Sequence, residues 1–154
     1  MKFAFILLSI TFLISCGASK KVKGDGEGQT IKMKSKSEIK PAVLGFTKEM
    51  NDQIQPVKIE SASIEGNTLT LSISYSGGCV DNTFEFQGST SISKSLPAIR
   101  PCMLLRKGSV DNCKALIKRE LKFDISELAY KKEAGNEIML TIDGYEGKLS
   151  YKFM

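Results

Sequence analysis

Apolar and small polar side chains alternate without a break along Thr68-Leu69-Thr70-Leu71-Ser72-Ile73-Ser74-Tyr75. Successive side chains of a β-strand point to opposite faces, so this alternation is typical of a strand with one buried and one solvated face. Such strands belong to antiparallel sheets, since the strands of a parallel sheet are buried on both faces and are apolar throughout. The stretch therefore predicts an all-β domain built from antiparallel sheet.

Further short strands are predicted on both sides of this stretch. Glycine- and asparagine-bearing segments such as Glu65–Asn67 separate them and are typical of hairpin turns. The other predicted strands lie at Ile59–Ile64, Phe84–Phe86, Ile99–Leu105, Leu121–Ile125, Ile138–Ile142 and Leu149–Phe153. A total of about seven short strands at this spacing favours a β-sandwich, with a small barrel as the second choice.

Composition divides the chain of 154 residues into a tether and a folded domain. Residues 17–41 contain seven lysines and three acidic residues among glycines and serines, so they hold too little apolar surface to fold. Residues 42–154 contain 14 basic and 14 acidic residues, so the β-rich domain is neutral and offers no electrostatic footprint for nucleic acid. We expect a flexible Lys/Gly/Ser linker over 16–41, a domain over 42–154, and no nucleic-acid partner.

The N-terminus resembles the export signal of bacterial lipoproteins. Lys2 precedes a nearly unbroken apolar run, Phe3–Ile14, which is too short to span a bilayer but has the length of a signal-peptide core. The run ends in Leu13-Ile14-Ser15-Cys16, which resembles the lipobox of that family. The resemblance implies cleavage after Ser15, so that residues 1–15 are a signal peptide, and diacylglycerol on the Cys16 thiol.

Lipid on Cys16 implies a stable membrane anchor, because two or more acyl chains bind a bilayer far more firmly than one. Gly17 follows the cysteine, where an aspartate resembles an inner-membrane retention signal in some bacteria. The tether also lacks the acidic run of some surface-exported lipoproteins. We therefore expect the outer membrane, with the domain facing the periplasm.

Three cysteines remain after Cys16, and the export signal places them where disulfides persist. Three single bridges are possible, and spacing alone does not choose among them. We favour Cys79–Cys113, because both lie in loop-like contexts, whereas Cys102 lies among apolar residues and is expected to be buried. Three thiols without any histidine do not make a four-ligand zinc site, so no metal and no cofactor are expected.

A second resemblance covers roughly residues 57–128. The segments Tyr75-Ser76-Gly77-Gly78-Cys79 and Asp111-Asn112-Cys113 are similar to those of a group of short, uncharacterised lipoproteins of Gram-negative bacteria. Members of that group often carry histidines where this chain has Asn82 and, near the second cysteine, Leu105 or Arg106. The resemblance thus implies a bridge rather than a ligand set here, and it supplies no activity.

The absence of histidine excludes Ser-His-Asp and Cys-His nucleophilic catalysis and His general-base catalysis. We predict a non-catalytic binding or interaction module with an envelope protein as its possible partner, and an oligomeric state that the sequence leaves open. Its candidate surface consists of loops 76–83 and 106–113, with the contact residues Ser76, Gly77, Gly78, Asp81, Asn82, Arg106, Lys107 and Asp111.

The alternative function is a carboxylate-based hydrolase that acts on cell-envelope glycan. It requires two carboxylates that meet in space and act as acid and base. The candidate pairs are Asp81 with Glu85 and Asp111 with Asp124.

Overall fold

The computed structural model describes residues 31–32, 38–46 and 55–154. This part contains ten strands and one 3₁₀ turn, Ser126–Leu128. The strands are β1 (Ile31–Lys32), β2 (Ile39–Pro41), β3 (Val43–Leu44), β4 (Lys58–Glu65), β5 (Thr68–Gly77), β6 (Thr83–Gly88), β7 (Ala98–Lys107), β8 (Ala115–Asp124), β9 (Glu137–Ile142) and β10 (Lys148–Lys152). The predicted signal peptide, Cys16 and most of the predicted linker lie outside the described residues. None of the described segments forms a helix long and apolar enough to span a bilayer.

The strands form two five-stranded sheets that pack face to face. In sheet A, β8, β5 and β4 are neighbours in that order, and β1 and β2 both pair with the free side of β8. In sheet B the order is β10-β9-β7-β6-β3. The sheets do not close into a barrel over the described residues, so the predicted all-β sandwich is confirmed over the second choice. Seven of the described strands have five or more residues, in agreement with the predicted number.

The core lies between the sheets and is built from the alternating side chains that the sequence indicates. Three side chains of the Thr68–Tyr75 stretch are fully buried: Leu69, Leu71 and Ile73. Two ring pairs connect the sheets, Tyr75 with Phe84 and Phe86 with Phe123, each with centroids 5.5 Å apart. Burying one side chain of this size contributes about 1.5–3 kcal/mol, so these inward faces hold the sandwich together.

The pairing is mixed rather than wholly antiparallel. Strands β4–β5, β5–β8, β6–β7 and β9–β10 are antiparallel, but β7 and β9 run parallel, as do β1 and β2 with β8 and β3 with β6. The β7–β9 case has a topological cause. The chain leaves sheet B after β7, adds β8 to sheet A and returns for β9, so it reverses direction twice. The expectation of wholly antiparallel sheets, drawn from the alternation, is therefore wrong for these pairs, because a sandwich strand with one solvated face alternates in either direction.

Strand pairing also reaches back into the stretch predicted as linker. Ile31–Lys32 pairs with Ile117–Lys118, and Ile39–Pro41 pairs with Lys122–Asp124. The side chains of β2 are all exposed, and Ile39 keeps 54% of its surface in solvent. This strand is therefore held by main-chain hydrogen bonds, which leave no hydrophobic pattern in the sequence.

Candidate functional site: the disulfide-linked crossover loops

The two predicted loops meet because both cross between the sheets at the same end of the sandwich. Strand β5 ends in sheet A at Gly77, which pairs with Ala115 at the start of β8. Strand β6 begins in sheet B at Thr83, which pairs with Lys107 at the end of β7. Residues 78–82 and 108–114 must therefore span the gap between the sheets side by side. We call these two segments the crossover loops.

A disulfide between Cys79 and Cys113 joins the crossover loops, with a Cα–Cα distance of 5.9 Å and 34 residues of sequence separation. The predicted pairing is confirmed. Cys102 is buried, as expected, and it is free, which the sequence left open. Burial raises the pKa of the Cys102 thiol to about 12, so it is held in its neutral form.

The carboxylate of Asp111 organises both loops through backbone contacts. Its Oδ2 atom accepts hydrogen bonds from the backbone N–H groups of Gly78 (2.8 Å), Cys79 (3.2 Å) and Val80 (3.2 Å). Its Oδ1 atom accepts one from Cys113 at 3.1 Å. Desolvation opposes the charged form, but these four N–H donors outweigh it and lower the pKa of Asp111. Asp111 is thus a structural anion that fixes the loops.

A close approach explains the first glycine of the Gly77-Gly78 pair. A Cβ atom on Gly77 would lie 2.7 Å from Oδ2 of Asp111 and 2.9 Å from Nη2 of Arg106. Both distances are shorter than the contacts that real Cβ atoms make. Only the absence of a side chain lets Asp111 and Arg106 approach the end of β5 together.

Arg106 is buried, which corrects its predicted place on the contact surface. Only 2% of its surface is exposed. Its Nη1 donates to the carbonyl of Ser76 and its Nε to Oδ1 of Asn82, both at 3.0 Å. Its Cζ stands 4.2 Å from the ring centroid of Tyr75, a cation–π contact that favours the inward position. Gly77 is buried as well, so neither residue is available to a partner's surface.

Four predicted contact residues are exposed at this end of the sandwich: Ser76, Gly78, Asp81 and Lys107. Lys107 forms an ion pair with Glu85 at 2.8 Å. Asn82 and Asp111 are half-buried. Val110 in the loop 108–114 exposes 64% of its surface and was not among the predicted contact residues.

Gln55 is a site residue that the sequence analysis missed. Its Nε2 donates to the carbonyl of Ser109 at 2.8 Å, and its Oε1 accepts from the N–H of Asp111 at 3.4 Å. A single glutamine before a proline carries no motif, so no sequence signal identifies this contact.

Of the two carboxylate pairs considered for hydrolysis, Asp111 with Asp124 is not assembled. Asp111 precedes β8 and Asp124 ends it, so about 30 Å of strand separates them. The Glu85 carboxylate accepts hydrogen bonds from Lys107 and Gln87, which lower its pKa against the effect of desolvation. Asp81 is exposed in its loop.

Donor atoms of Cys79, Asp111 and Cys113 lie within 4.8 Å of one another, a spacing compatible with a metal ion. The two sulfur atoms are bonded to each other, however, and a metal ligand must be a thiolate. With its bridge closed, this cluster has one carboxylate to offer and that carboxylate is saturated with N–H donors.

A groove of about 460 Å³ lies at the opposite end of the sandwich, where β7 and β9 begin. Its rim carries Leu96, which is fully exposed, and Tyr130, which is half exposed. The apolar Leu96-Pro97 pair directly after the serine-rich segment 89–95 was the feature of the sequence that could have indicated this groove.

Solved structures share this fold at low sequence identity. A NigD-like immunity protein from Bacteroides caccae superposes with a TM-score of 0.55 at 14% identity, over 74% of this chain and 64% of its own. A protein of unknown function from Bacteroides vulgatus gives a TM-score of 0.50 at 13% identity, over 75% and 56%. The chain thus spans about three fifths of the structures it matches. No protein-family model and no curated protein matches it.

Proposed function

We propose that the chain is a lipid-anchored envelope protein whose β-sandwich binds a partner protein through the crossover loops and has no catalytic activity of its own. The observation that carries the binding role is the state of those loops, which the Cys79–Cys113 bridge and the Asp111 hydrogen bonds hold in one arrangement. A loop surface that is already ordered loses little conformational entropy on association, which favours binding.

The electrostatics of the acidic residues support a non-catalytic role over the alternative hydrolase. A glycosidase needs one carboxylic acid whose pKa is raised enough to donate a proton. The pKa values of Asp111 and Glu85 are lowered instead, because N–H, lysine and glutamine donors stabilise their charged forms. Neither group is therefore suited to act as a general acid at neutral pH.

The comparisons support the proposal at the level of the fold. The Bacteroides caccae neighbour is described as an immunity protein, and a binding role for this chain is in keeping with that description.

The anchor rests on the lipobox resemblance and is tested by labelling cells with radioactive palmitate. We expect label in the wild-type chain and none in a Cys16→Ala variant, while a Cys102→Ala variant, which also loses one cysteine, keeps it. Equal labelling of the Cys16→Ala variant, or no label in the wild type, would remove the anchor and the envelope address.

The binding surface is tested by photo-crosslinking in intact cells. A photoreactive amino acid is placed at Val110 or Asp81 in the crossover loops, and at Lys131, which is exposed outside them, as the matched control. We expect the same discrete adduct from both loop positions and none from Lys131. An absence of adducts from the loops, or the same adduct from all three positions, contradicts the proposal. Hydrolysis of purified cell-wall glycan by the chain would favour the alternative.

A further inference from the structure

A cavity of about 140 Å³ opens between the crossover loop 78–82 and strand β8. Ile117 and Arg119 of β8 line it, and Tyr75 of β5 lines it as well. One water molecule occupies about 30 Å³ of liquid, so the space holds a few waters or one small polar group. The cavity is therefore of the size of a single side-chain head group.

Arg119 enters this cavity from the inner face of β8, where an apolar residue is expected. It lies on the same face of the strand as the buried Ile117, two residues earlier, and its Cζ stands 5.5 Å from the ring centroid of Phe84 in the other sheet. Its Nε is buried and finds no acceptor among the described residues. A buried donor left without an acceptor is costly, so the position indicates an acceptor supplied from outside.

Arg106 adds a second cation directly behind the cavity. It stacks on Tyr75 and donates to Asn82, and both of these residues line the cavity. Its Nη2 is also buried and has no acceptor within the described ranges. No acidic group lies within ion-pair distance of Arg106 or Arg119 in the described part of the chain, although the Asp111 carboxylate approaches Arg106 at the end of β5.

Asp81 is the one acidic residue lining the cavity, and it forms no ion pair with either arginine. Its exposed carboxylate repels an incoming anion, and the repulsion grows with the anion's charge. Arg106 and Arg119 attract the same anion, so the cavity as a whole favours an anion over a neutral group. A carboxylate also matches the planar donor fork of arginine, which holds two oxygens at once.

We propose that this cavity is a binding site for one carboxylate group, held by Arg119 and stabilised by the charge of Arg106. The carboxylate comes from an aspartate or glutamate side chain of the protein that docks on the crossover loops, or from a small free carboxylate. The first source rests on the proposed function, and the cavity itself does not.

The test titrates the full chain, solubilised in a non-ionic detergent, with sodium acetate while sodium chloride keeps the ionic strength constant. Nuclear magnetic resonance follows the Nε–H group of Arg119 and the backbone amide of Asn82. We expect saturable shifts of both signals, with affinity in the millimolar range.

Three variants locate the site. Arg119→Gln should weaken acetate binding by about tenfold or more, because it removes a charge-assisted hydrogen bond. Lys118→Gln is the matched control, since it removes the same charge from the exposed neighbouring position of β8, and we expect less than about a twofold change. Asp81→Asn should strengthen binding because it removes the repelling carboxylate.

A wild-type chain that shows no saturable shift with acetate overturns the proposal, and so does an equal loss in Lys118→Gln and Arg119→Gln. The wild-type Arg119 signal decides the matter even if Arg119→Gln fails to fold. A short peptide with one glutamate and blocked ends tests the protein source, and acetate binding without peptide binding assigns the site to free carboxylates. The outcome is separate from the crosslinking experiment, because acetate binding requires no partner protein.

Discussion

Oδ2 of Asp111 accepts a hydrogen bond of 2.8 Å from the backbone N–H of Gly78, a residue 33 positions earlier in the chain. This contact runs alongside the disulfide and joins the same two crossover loops. The loops are therefore held both by a covalent bond and by a charge, and the two can be removed separately.

Replacing Asp111 with asparagine should reduce the loss of stability at acid pH. The folded pKa of Asp111 lies below its ordinary value of about 3.9, so the ionised group stabilises the fold above that pH, and this contribution disappears as pH falls through the folded pKa. Asp111→Asn should therefore be less stable than the wild type at pH 7, with a smaller further decrease at low pH. Urea unfolding at a series of pH values measures both effects.

Asp143→Asn is the control for this measurement, because Asp143 is an exposed carboxylate in the turn after β9. It should follow the wild-type pH dependence. An Asp111→Asn variant that loses as much stability on acidification as the wild type would show that the N–H contacts do not hold the loops.

Removing the disulfide should lower the free energy of unfolding. The bridge closes 34 residues, for which the chain-entropy relation gives about 3–4 kcal/mol. Urea unfolding of a Cys79→Ser/Cys113→Ser double variant tests this value. Reductant should destabilise the wild type by a similar amount and leave the double variant unchanged. An effect of reductant on the double variant would point to some other bond.

The thiol of Cys102 should be unreactive in the folded protein. Its side chain is buried and its pKa is raised to about 12, so almost no thiolate exists at pH 8. In a Cys16→Ala background we expect a thiol reagent to label no cysteine in the native protein and one after unfolding in urea. Rapid labelling of the native protein, or two further thiols on unfolding, would contradict the assignment.

Arg100 should be essential for stability although no acidic residue in the described ranges forms an ion pair with it. It is buried and donates to three backbone carbonyls, those of Ser89, Leu128 (2.9 Å) and Ala129 (3.3 Å). Arg100→Met keeps an unbranched apolar stem but leaves these carbonyls without their donor. At about 1 kcal/mol or more for each, the total loss should reach about 3 kcal/mol.

Urea unfolding measures this loss, with Lys131→Met as the control, because Lys131 is exposed and its replacement removes the same charge. Arg100→Lys should fall between the two, since a single ammonium group does not reproduce the planar fork. Equal stability of Arg100→Met and Lys131→Met would contradict the role of the carbonyl contacts.

The two-layered architecture could be predicted from the sequence, because burial of one face of a strand makes apolar residues recur at every second position. The Thr68–Tyr75 stretch predicts both the strand and its inward face, and the structure agrees. Strand direction leaves no such signal, so the parallel pairing of β7 with β9 was not foreseen. Strand β2 was missed for a different reason. Main-chain hydrogen bonds hold it without buried side chains, so it leaves no apolar pattern in the sequence.

The sequence predicted which two loops form the site, but it predicted only some of the residues on their surface. Loop context favoured the Cys79–Cys113 pair, and the bridge brings the crossover loops together. Arg106 was predicted to lie on the surface as part of loop 106–113, whereas the Tyr75 ring and two oxygen acceptors favour its buried position. Arg119 carried a usable signal, because it breaks the apolar face shared by Ile117 and Leu121.

The parallel pairing of β7 with β9 has a consequence for folding kinetics. In sequence, β8 lies between these two strands, but it belongs to sheet A. The β7–β9 pair of sheet B is therefore joined by a connection that passes through the opposite sheet. Neither layer is then an independent folding unit, and contacts between residues far apart in sequence must form in the rate-limiting step. Such a chain is expected to fold slowly for its length and to unfold as a single cooperative unit.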